Sequence, residues 1–190
     1  TSPPRLSSAA SDVYKRQLPG RIFLYNGEEL ALPQADVPDE DRQDPAFFRQ
    51  TPESSYKGRD GCRVPMPWDA DSPNAGFTNS KPWLPMPEGW HDYSVSIQHE
   101  NPNSMLNYYR SMIKHRRTEN WMKSDSIVEV DSSSGILSFV KKSENKRVRV
   151  LMNFSESDFL YDNGNAIMRT SDSDISDPFL RPGELAYIEI

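Results

Sequence analysis

Eight prolines stand between residues 33 and 82: Pro33, Pro38, Pro45, Pro52, Pro65, Pro67, Pro73 and Pro82. Each fixes φ, removes a backbone donor and biases the residue before it away from the helical region. From Asp36 to Leu84 the sequence therefore has no sustained period, and the spacing leaves room for a helical turn only at Asp44–Gln50. A structureless stretch of this length inside a chain is either functional or disordered. Its content of Trp and Met argues against disorder. The densest part is "GRDGCRVPMPWDADSPNAGF", Gly58–Phe77, which sets Arg59, Asp60, Arg63, Trp68 and Asp69 close together. Whatever this chain folds into must hold a long ordered loop.

The flanks supply the regular elements. "RIFLYNGEEL", Arg21–Leu30, opens with a short run that is apolar on both faces and ends in polar residues. That pattern suits a strand covered on both sides, as in parallel α/β sheets, where ligands collect beyond the carboxyl ends of strands. Asn26, Gly27, Glu28 and Glu29 fall at that end, and the two glutamates read equally as a helix N-terminus or as substrate contacts. "NPNSMLNYYRSMIKHRR" predicts a helix over Pro102–Arg117, with Asn101 as cap and Pro102 at its first position. Met105, Leu106, Tyr109, Met112 and Ile113 make one stripe. Lys114, His115, Arg116 and Arg117 cluster where cations suit the helix dipole. Beyond Asn120 the period changes to two: "SIVEV", "GILSFVKK", "KRVRVLMNFS" and "ELAYIEI" alternate apolar and polar residues. Turn signals at Ser132–Gly135 and Glu144–Asn145 separate the first three, predicting an antiparallel meander within a small sandwich. "RTSDSDISDP", Arg169–Pro178, reads as a solvated, mobile loop; it lacks the Gly and terminal Glu of a calcium loop.

Charge and cysteine content exclude several classes. The net charge is −6 over 190 residues with a pI near 5.1, and no basic stripe is present to neutralise phosphates, which excludes nucleic acid as partner. No apolar run approaches the roughly 20 residues of a membrane span. Cys62 is the single cysteine, so no internal disulfide forms, and a reducing cytoplasm suits the chain. His91, His99 and His115 lack metal-ligand spacing, and Cys62 has no evident base partner. The first segment, Thr1–Gln17, has neither the apolar core of a signal peptide nor any period. Its "DVYKRQ" back-translates to a transposon end used in sequencing libraries, so we expect residues 1–17 to be an artefactual or disordered tail. Native sequence then starts near Leu18, without an initiating Met, as the C-terminal piece of a longer chain.

"LPGRIFLYNGEEL", "GRDGCRVPMPWD", "SPNAGF…KPWLP" and "DYSVSIQHENPNSMLNYYRSMIKHRR", in that order, resemble the α-glucosidase branch of the α-amylase family of glycoside hydrolases. The likeness runs from about Leu18 to the C-terminus. It implies an eight-fold (β/α) TIM barrel followed by an all-β C-terminal domain, with 18–120 the end of the barrel and 121–190 the β-sandwich. Ile22–Tyr25 is then the last barrel strand, Ala31–Trp90 the loop after it, and Pro102–Arg117 the last barrel helix. Loops after barrel strands build active sites, so Gly58–Phe77 is expected to wall a sugar pocket.

The resemblance implies retaining hydrolysis of small α-glucosides, with no cofactor and no metal. The family's catalytic carboxylates lie on segments before the last strand, so none is assigned here, and Glu28, Glu29, Asp60 and Asp69 are not candidates. The second arginine of the family's R-D-x-x-R motif, Arg63, is expected to reach the non-reducing glucose with its planar fork of donors. Arg59 and Asp60 are the other substrate-site candidates, either in direct contact, or pairing with each other or shaping the loop. Trp68 reads as a sugar platform or as a packing anchor, and Trp83 and Trp90 as anchors. Two departures stand out. Many relatives carry Thr-Pro where this chain has Arg21–Ile22, and "ADVPDEDRQDPAFFRQ" resembles the branch acting on small glucosides. Maltose, isomaltose, sucrose and trehalose all remain open as substrates. A non-catalytic relative serving as scaffold, or a sugar-binding module, is the alternative. The chain alone is expected to be inactive, with only Ser126–Ile190 able to fold independently.

Overall fold

Alternation along residues 127–190 dictates a sheet with two dissimilar faces, and the computed structural model contains it. The structure describes residues 18, 20–51, 53–162, 164–169 and 175–190. Thr1–Gln17 and the centre of the Ser/Asp-rich run, for which a tail and a mobile loop were expected, lie outside the described residues. The described residues form two compact units: one comprises those up to Leu24 and those within Tyr108–Ile190, the other those within Tyr25–Asn107.

In the first unit, strands β1 (Ile127–Ser133), β2 (Ile136–Lys142) and β3 (Arg147–Asn153) form the expected meander. The terminal strand β7 (Leu185–Glu189) returns beside β3, and β5 (Ala166–Arg169) closes the far edge, giving the antiparallel order β1-β2-β3-β7-β5. The β1–β2 hairpin turns on Ser134 and Gly135, both with positive φ of 53° and 76°. A two-residue connection with that geometry matches the right-handed twist of its strands. A Cβ on Gly135 would also come within 2.9 Å of the Ser155 side chain, so glycine is required twice over. One face of the sheet carries Phe139, Val148, Val150, Met152, Leu185 and Tyr187, packed against Met112, Trp121 and Met122. Met112 belongs to helix α3 (Met105–Thr118) and the other two to the short α4 (Asn120–Lys123). Trp121 meets Tyr187 edge-on with ring centroids 5.3 Å apart. The opposite face offers Leu151, Ala186 and Ile188 to Tyr161 and Leu180. Leu180 lies in β6 (Phe179–Leu180), which pairs with β4 (Phe159–Leu160) as a second two-stranded layer.

Residues 22–25, read as a strand, form no ladder with any described residue. Phe23 is 82% exposed. A ladder needs a neighbour, and no described strand lies alongside to supply one.

Among its described residues the second unit has two short helices, α1 (Pro45–Phe48) and α2 (Val95–Glu100), and five 3₁₀ turns. Its apolar centre is small, built of Leu30, Met66 and Leu106 with Leu32 and Val95 against them. Helix α3 begins at Met105, three residues later than its sequence suggests. Asn101 ends α2, and its side chain accepts from Asn103 N at 3.0 Å, closing a tight turn through Pro102. Ser104 is the residue that caps α3, its hydroxyl accepting from Asn107 N. Gln98 is the buried hub of this corner. Its amide donates to Leu30 O at 2.9 Å and Tyr93 O at 3.1 Å, and its side-chain oxygen accepts from Leu106 N at 3.0 Å.

Candidate functional site

The site lies within the Tyr25–Asn107 unit, where Gly58–Arg63 folds against the stretch from Ala35 to Ala46. Asp60–Cys62 is a single 3₁₀ turn, so Arg59 and Arg63 flank it. Asp60 is fully buried, and its Oδ2 accepts from the amides of Gln43 at 2.8 Å and Asp44 at 2.9 Å. Its Oδ1 is buried without a hydrogen-bond partner among the described residues. Asp44 answers from the other segment. One oxygen caps α1 through Ala46 N at 3.0 Å, and the other takes Arg59 N at 2.8 Å, Arg59 Nε at 3.4 Å and Arg63 Nη1 at 3.5 Å. The two carboxylates thus cross over, each fastening the backbone that carries the other.

Those donors stabilise charge on Asp44. The backbone amides of Ala46 and Arg59, reinforced by the Arg59 guanidinium, hold its carboxyl below the ordinary aspartate range despite burial. Backbone geometry locks the same junction. Ala35 N donates to Gly61 O at 2.9 Å, and a Cβ at position 61 would fall 2.2 Å from Ala35 O. Arg42, also buried, braces the near side: it donates to Lys57 O at 2.7 Å and Asp39 at 2.9 Å and lies over the Phe47 ring.

The three candidate residues therefore differ in what they present. The Arg63 side chain is 33% exposed and that of Arg59 64%, whereas Asp60 shows no surface at all. Of the alternatives for Arg59 and Asp60, pairing with each other does not occur, because Asp60 is committed to backbone amides of the loop and Arg59 to Asp44. Cys62 is exposed, with its thiol donating to Arg59 O at 3.1 Å. The Tyr25 hydroxyl, 3.9 Å from that sulfur, has its pKa raised chiefly by this contact.

The second half of the loop is held by its own turn. Trp68 N and Asp69 N both donate to Ala75 O, at 2.7 and 2.9 Å. Asn74, Ala75 and Gly76 all have positive φ. Asp69 accepts from Ser72 Oγ at 2.6 Å and Asp71 N at 3.2 Å, which lowers its pKa. Trp90 is buried as an anchor, but Trp83 is 56% exposed and Trp68 half-exposed. No group of His, Cys, Asp and Glu among the described residues is placed to hold a metal ion. No helix among them is long and apolar enough to cross a membrane.

Asp44 is the residue that sequence reading missed. Its Asp-Pro dipeptide announces a helix cap, but nothing local announces that its second oxygen reaches residues 15 and 19 positions onward.

Against known proteins, the family model of the alpha amylase catalytic domain matches residues 6–125. The chain belongs to the α-amylase family. Among curated relatives it is 36% identical over 139 residues to a probable alpha-glucosidase of Rhizobium meliloti, covering 73% of this chain and 25% of that protein. It is 31% identical over 162 residues to an oligo-1,6-glucosidase of Parageobacillus thermoglucosidasius, covering 75% and 28%. The chain thus spans about a quarter of the length of these relatives. The crystal structure of XgtA, an alpha-glucosyl transfer enzyme, superposes with a TM-score of 0.81 at 30% identity, covering 100% of this chain and 36% of that one. The trehalulose synthase MutB gives the same TM-score at 22% identity and supports the fold alone. The fold is the closing portion of a TIM barrel followed by an antiparallel β-sandwich domain.

Proposed function

We propose that this chain is the C-terminal part of a retaining α-glucosidase acting on small α-glucosides, with residues 18–120 completing the barrel and 121–190 forming its β domain. The observation that carries the reading is Arg63, a third exposed and gripped from behind by a buried carboxylate. A guanidinium held that way keeps its remaining N–H donors for hydroxyls of a bound glucose. In retaining hydrolysis one carboxylate attacks the anomeric carbon while a carboxylic acid protonates the leaving oxygen, and water then releases the sugar. Four acidic residues of the loop unit are already engaged elsewhere. Asp60 and Asp44 are engaged by backbone amides, Asp69 by Ser72 and Asp71, and Glu29 accepts from Gly27 N at 2.8 Å. The catalytic carboxylates belong to upstream segments, and the present chain alone hydrolyses nothing. Arg59 lines the same wall, and Asp60 serves it from beneath. The lone unpaired Cys62 suits a cytoplasmic enzyme.

The test is the full-length parent enzyme, assayed on maltose, isomaltose, sucrose and trehalose beside its Arg63→Ala variant. Loss of a charged donor to bound sugar lowers kcat/KM by about 100-fold. Unchanged kinetics in the variant, or a full-length protein that binds sugar and cleaves none, would replace this reading with the non-catalytic scaffold.

A further inference from the structure

We propose that Asp44 is the positioning residue that aims Arg63 at the sugar, and that the Asp36–Gln50 stretch exists in this chain to deliver that carboxylate. The inference rests on the reading of Arg63 as a substrate contact. Arg63 has five N–H donors on a long, rotatable side chain, so an exposed guanidinium left alone samples many rotamers and loses entropy on binding. In the structure one of its terminal nitrogens is 3.5 Å from Asp44 Oδ2. The anchoring carboxylate is itself 3% exposed and immobilised by Ala46 N and Arg59 N. It is therefore a fixed point.

The fixed point is built, not incidental. Asp60 ties the backbone of Gln43 and Asp44 to the R-D-x-x-R turn. Gly58 adopts a φ of 77° and leaves the space that Asp44 fills, since a Cβ there would approach Asp44 Cβ to 3.0 Å. Gly61 permits the close pass of Ala35 O. Arg42 fastens the start of the stretch to Lys57 O. Four separate contacts thus place one carboxylate oxygen between two arginines. Arg63 is the more buried of the two, 33% exposed against 64% for Arg59, so its orientation, more than its charge, is what Asp44 controls.

Asp44→Ser separates the two duties of this side chain. Serine still caps α1 through Ala46 N, but it carries no charge and is too short to hold the guanidinium. In the full-length parent we expect Asp44→Ser to raise KM for maltose about ten-fold with kcat within about two-fold, the sign of lost ground-state positioning. Combining Asp44→Ser with Arg63→Ala should give the KM of Arg63→Ala alone, because the two act through one group. A merely structural role would add to it.

Chemical rescue gives a second readout. Guanidinium ion at millimolar concentration should restore part of the activity of Arg63→Ala while Asp44 is intact, since the carboxylate is half of the ion's site, and should restore none when Asp44 is Ser. If Arg63→Ala is damaged but Asp44→Ser keeps the parent KM, or guanidinium rescues both backgrounds equally, the positioning role is overturned and Arg63 as a contact survives. If Arg63→Ala itself has no effect, the functional reading fails and takes this inference with it. Should Asp44→Ser not fold, rescue of Arg63→Ala alone decides: no restoration by guanidinium overturns the proposal.

Discussion

The loop unit and the β unit of this chain are held together by different kinds of interaction. The β unit spreads its stability over a sheet whose inner face carries Phe139, Val148, Val150, Met152, Leu185 and Tyr187, each in contact with several others. The loop unit has a centre of three buried residues, Leu30, Met66 and Leu106, and relies on named polar contacts: two crossed aspartates, a buried glutamine and a buried arginine. Apolar burial is non-directional and tolerant of small shifts. A carboxylate shared among four N–H groups is directional and tolerates little. The unit with regular structure is thus the forgiving one, and the unit without it fixes atoms more narrowly, as the proposed binding wall requires.

The largest effect should come from attacking the spread-out core. Phe139→Ala removes an aromatic ring from the centre of the sheet's inner face and should cost about 4 kcal/mol. Urea unfolding followed by hydrogen exchange would check it. Protection should fall across β2, β3 and β7, while the Ala35 amide, bonded to Gly61 O, reports whether the loop unit follows. Equal losses at both would mean that the contrast in construction does not extend to stability.

Second in size is an exception within the β unit. Lys141 is 1% exposed, and its ammonium donates to Met122 O at 2.6 Å with no carboxylate bonded to it among the described residues. Burial, helped by Arg116 and opposed by Asp125, pushes its pKa down from 10.5 to about 8. Between those values the unfolded chain binds the proton that the folded chain has released, so stability rises with pH from about 8 to 10.5. The full difference is about 3 kcal/mol, and below pH 8 the whole penalty applies. Stability measured across that window should climb, and Lys141→Met should flatten the curve. A flat curve for the parent chain would show that water reaches this amine.

Third comes the loop unit's tightest point. Gly61→Ala puts a methyl group 2.2 Å from a backbone oxygen that has no flexible end to swing away. The cost should be about 2 to 3 kcal/mol, localised as lost protection at the Ala35 amide. Loss spread evenly over Tyr25–Asn107 would instead make the unit one cooperative block.

What the sequence disclosed follows the same division. Periodicity exposed β1, β2, β3 and β7 but not β4, β5 and β6, and of its helical stripe Leu106, Tyr109 and Met112 are buried while Ile113 is exposed, because only burial on one face leaves a repeating mark. It misplaced the start of α3, since Asn101-Pro102 and Ser104 are both good caps and only the packing of Gln98 against Leu106 N decides between them. It read residues 22–25 as a strand because apolar character there is real, whereas a ladder depends on a neighbour that no local pattern encodes. In the site, Arg59, Asp60 and Arg63 stood out as a motif. Asp44 did not, because a contact between residues 15 to 19 apart across an irregular turn has no period. Trp83 was read as an anchor from its type alone, and its exposure is set by the path of the loop.

The smallest effect tests whether one discrete contact counts for much in the forgiving unit. Glu129 bonds Arg147 and, at 3.3 Å, Arg149, all three side chains being nearly half exposed. Exposed pairs of this kind contribute about 0.2 to 1 kcal/mol and weaken with salt. Glu129 also sits at the bulge between Val128 and Asp131 with a φ of 52°, a left-handed conformation that costs a non-glycine residue about 1 kcal/mol. Glu129→Ala removes the pairs and keeps the strain, while Glu129→Gly removes both. The glycine variant should therefore be the more stable of the two by several tenths of a kcal/mol to about 1 kcal/mol, and raising the salt should narrow the gap between Glu129→Ala and the parent without changing the gap between the two variants. If the alanine variant proves the more stable, the bulge is unstrained, and the ladder of β1 has absorbed the extra residue without cost.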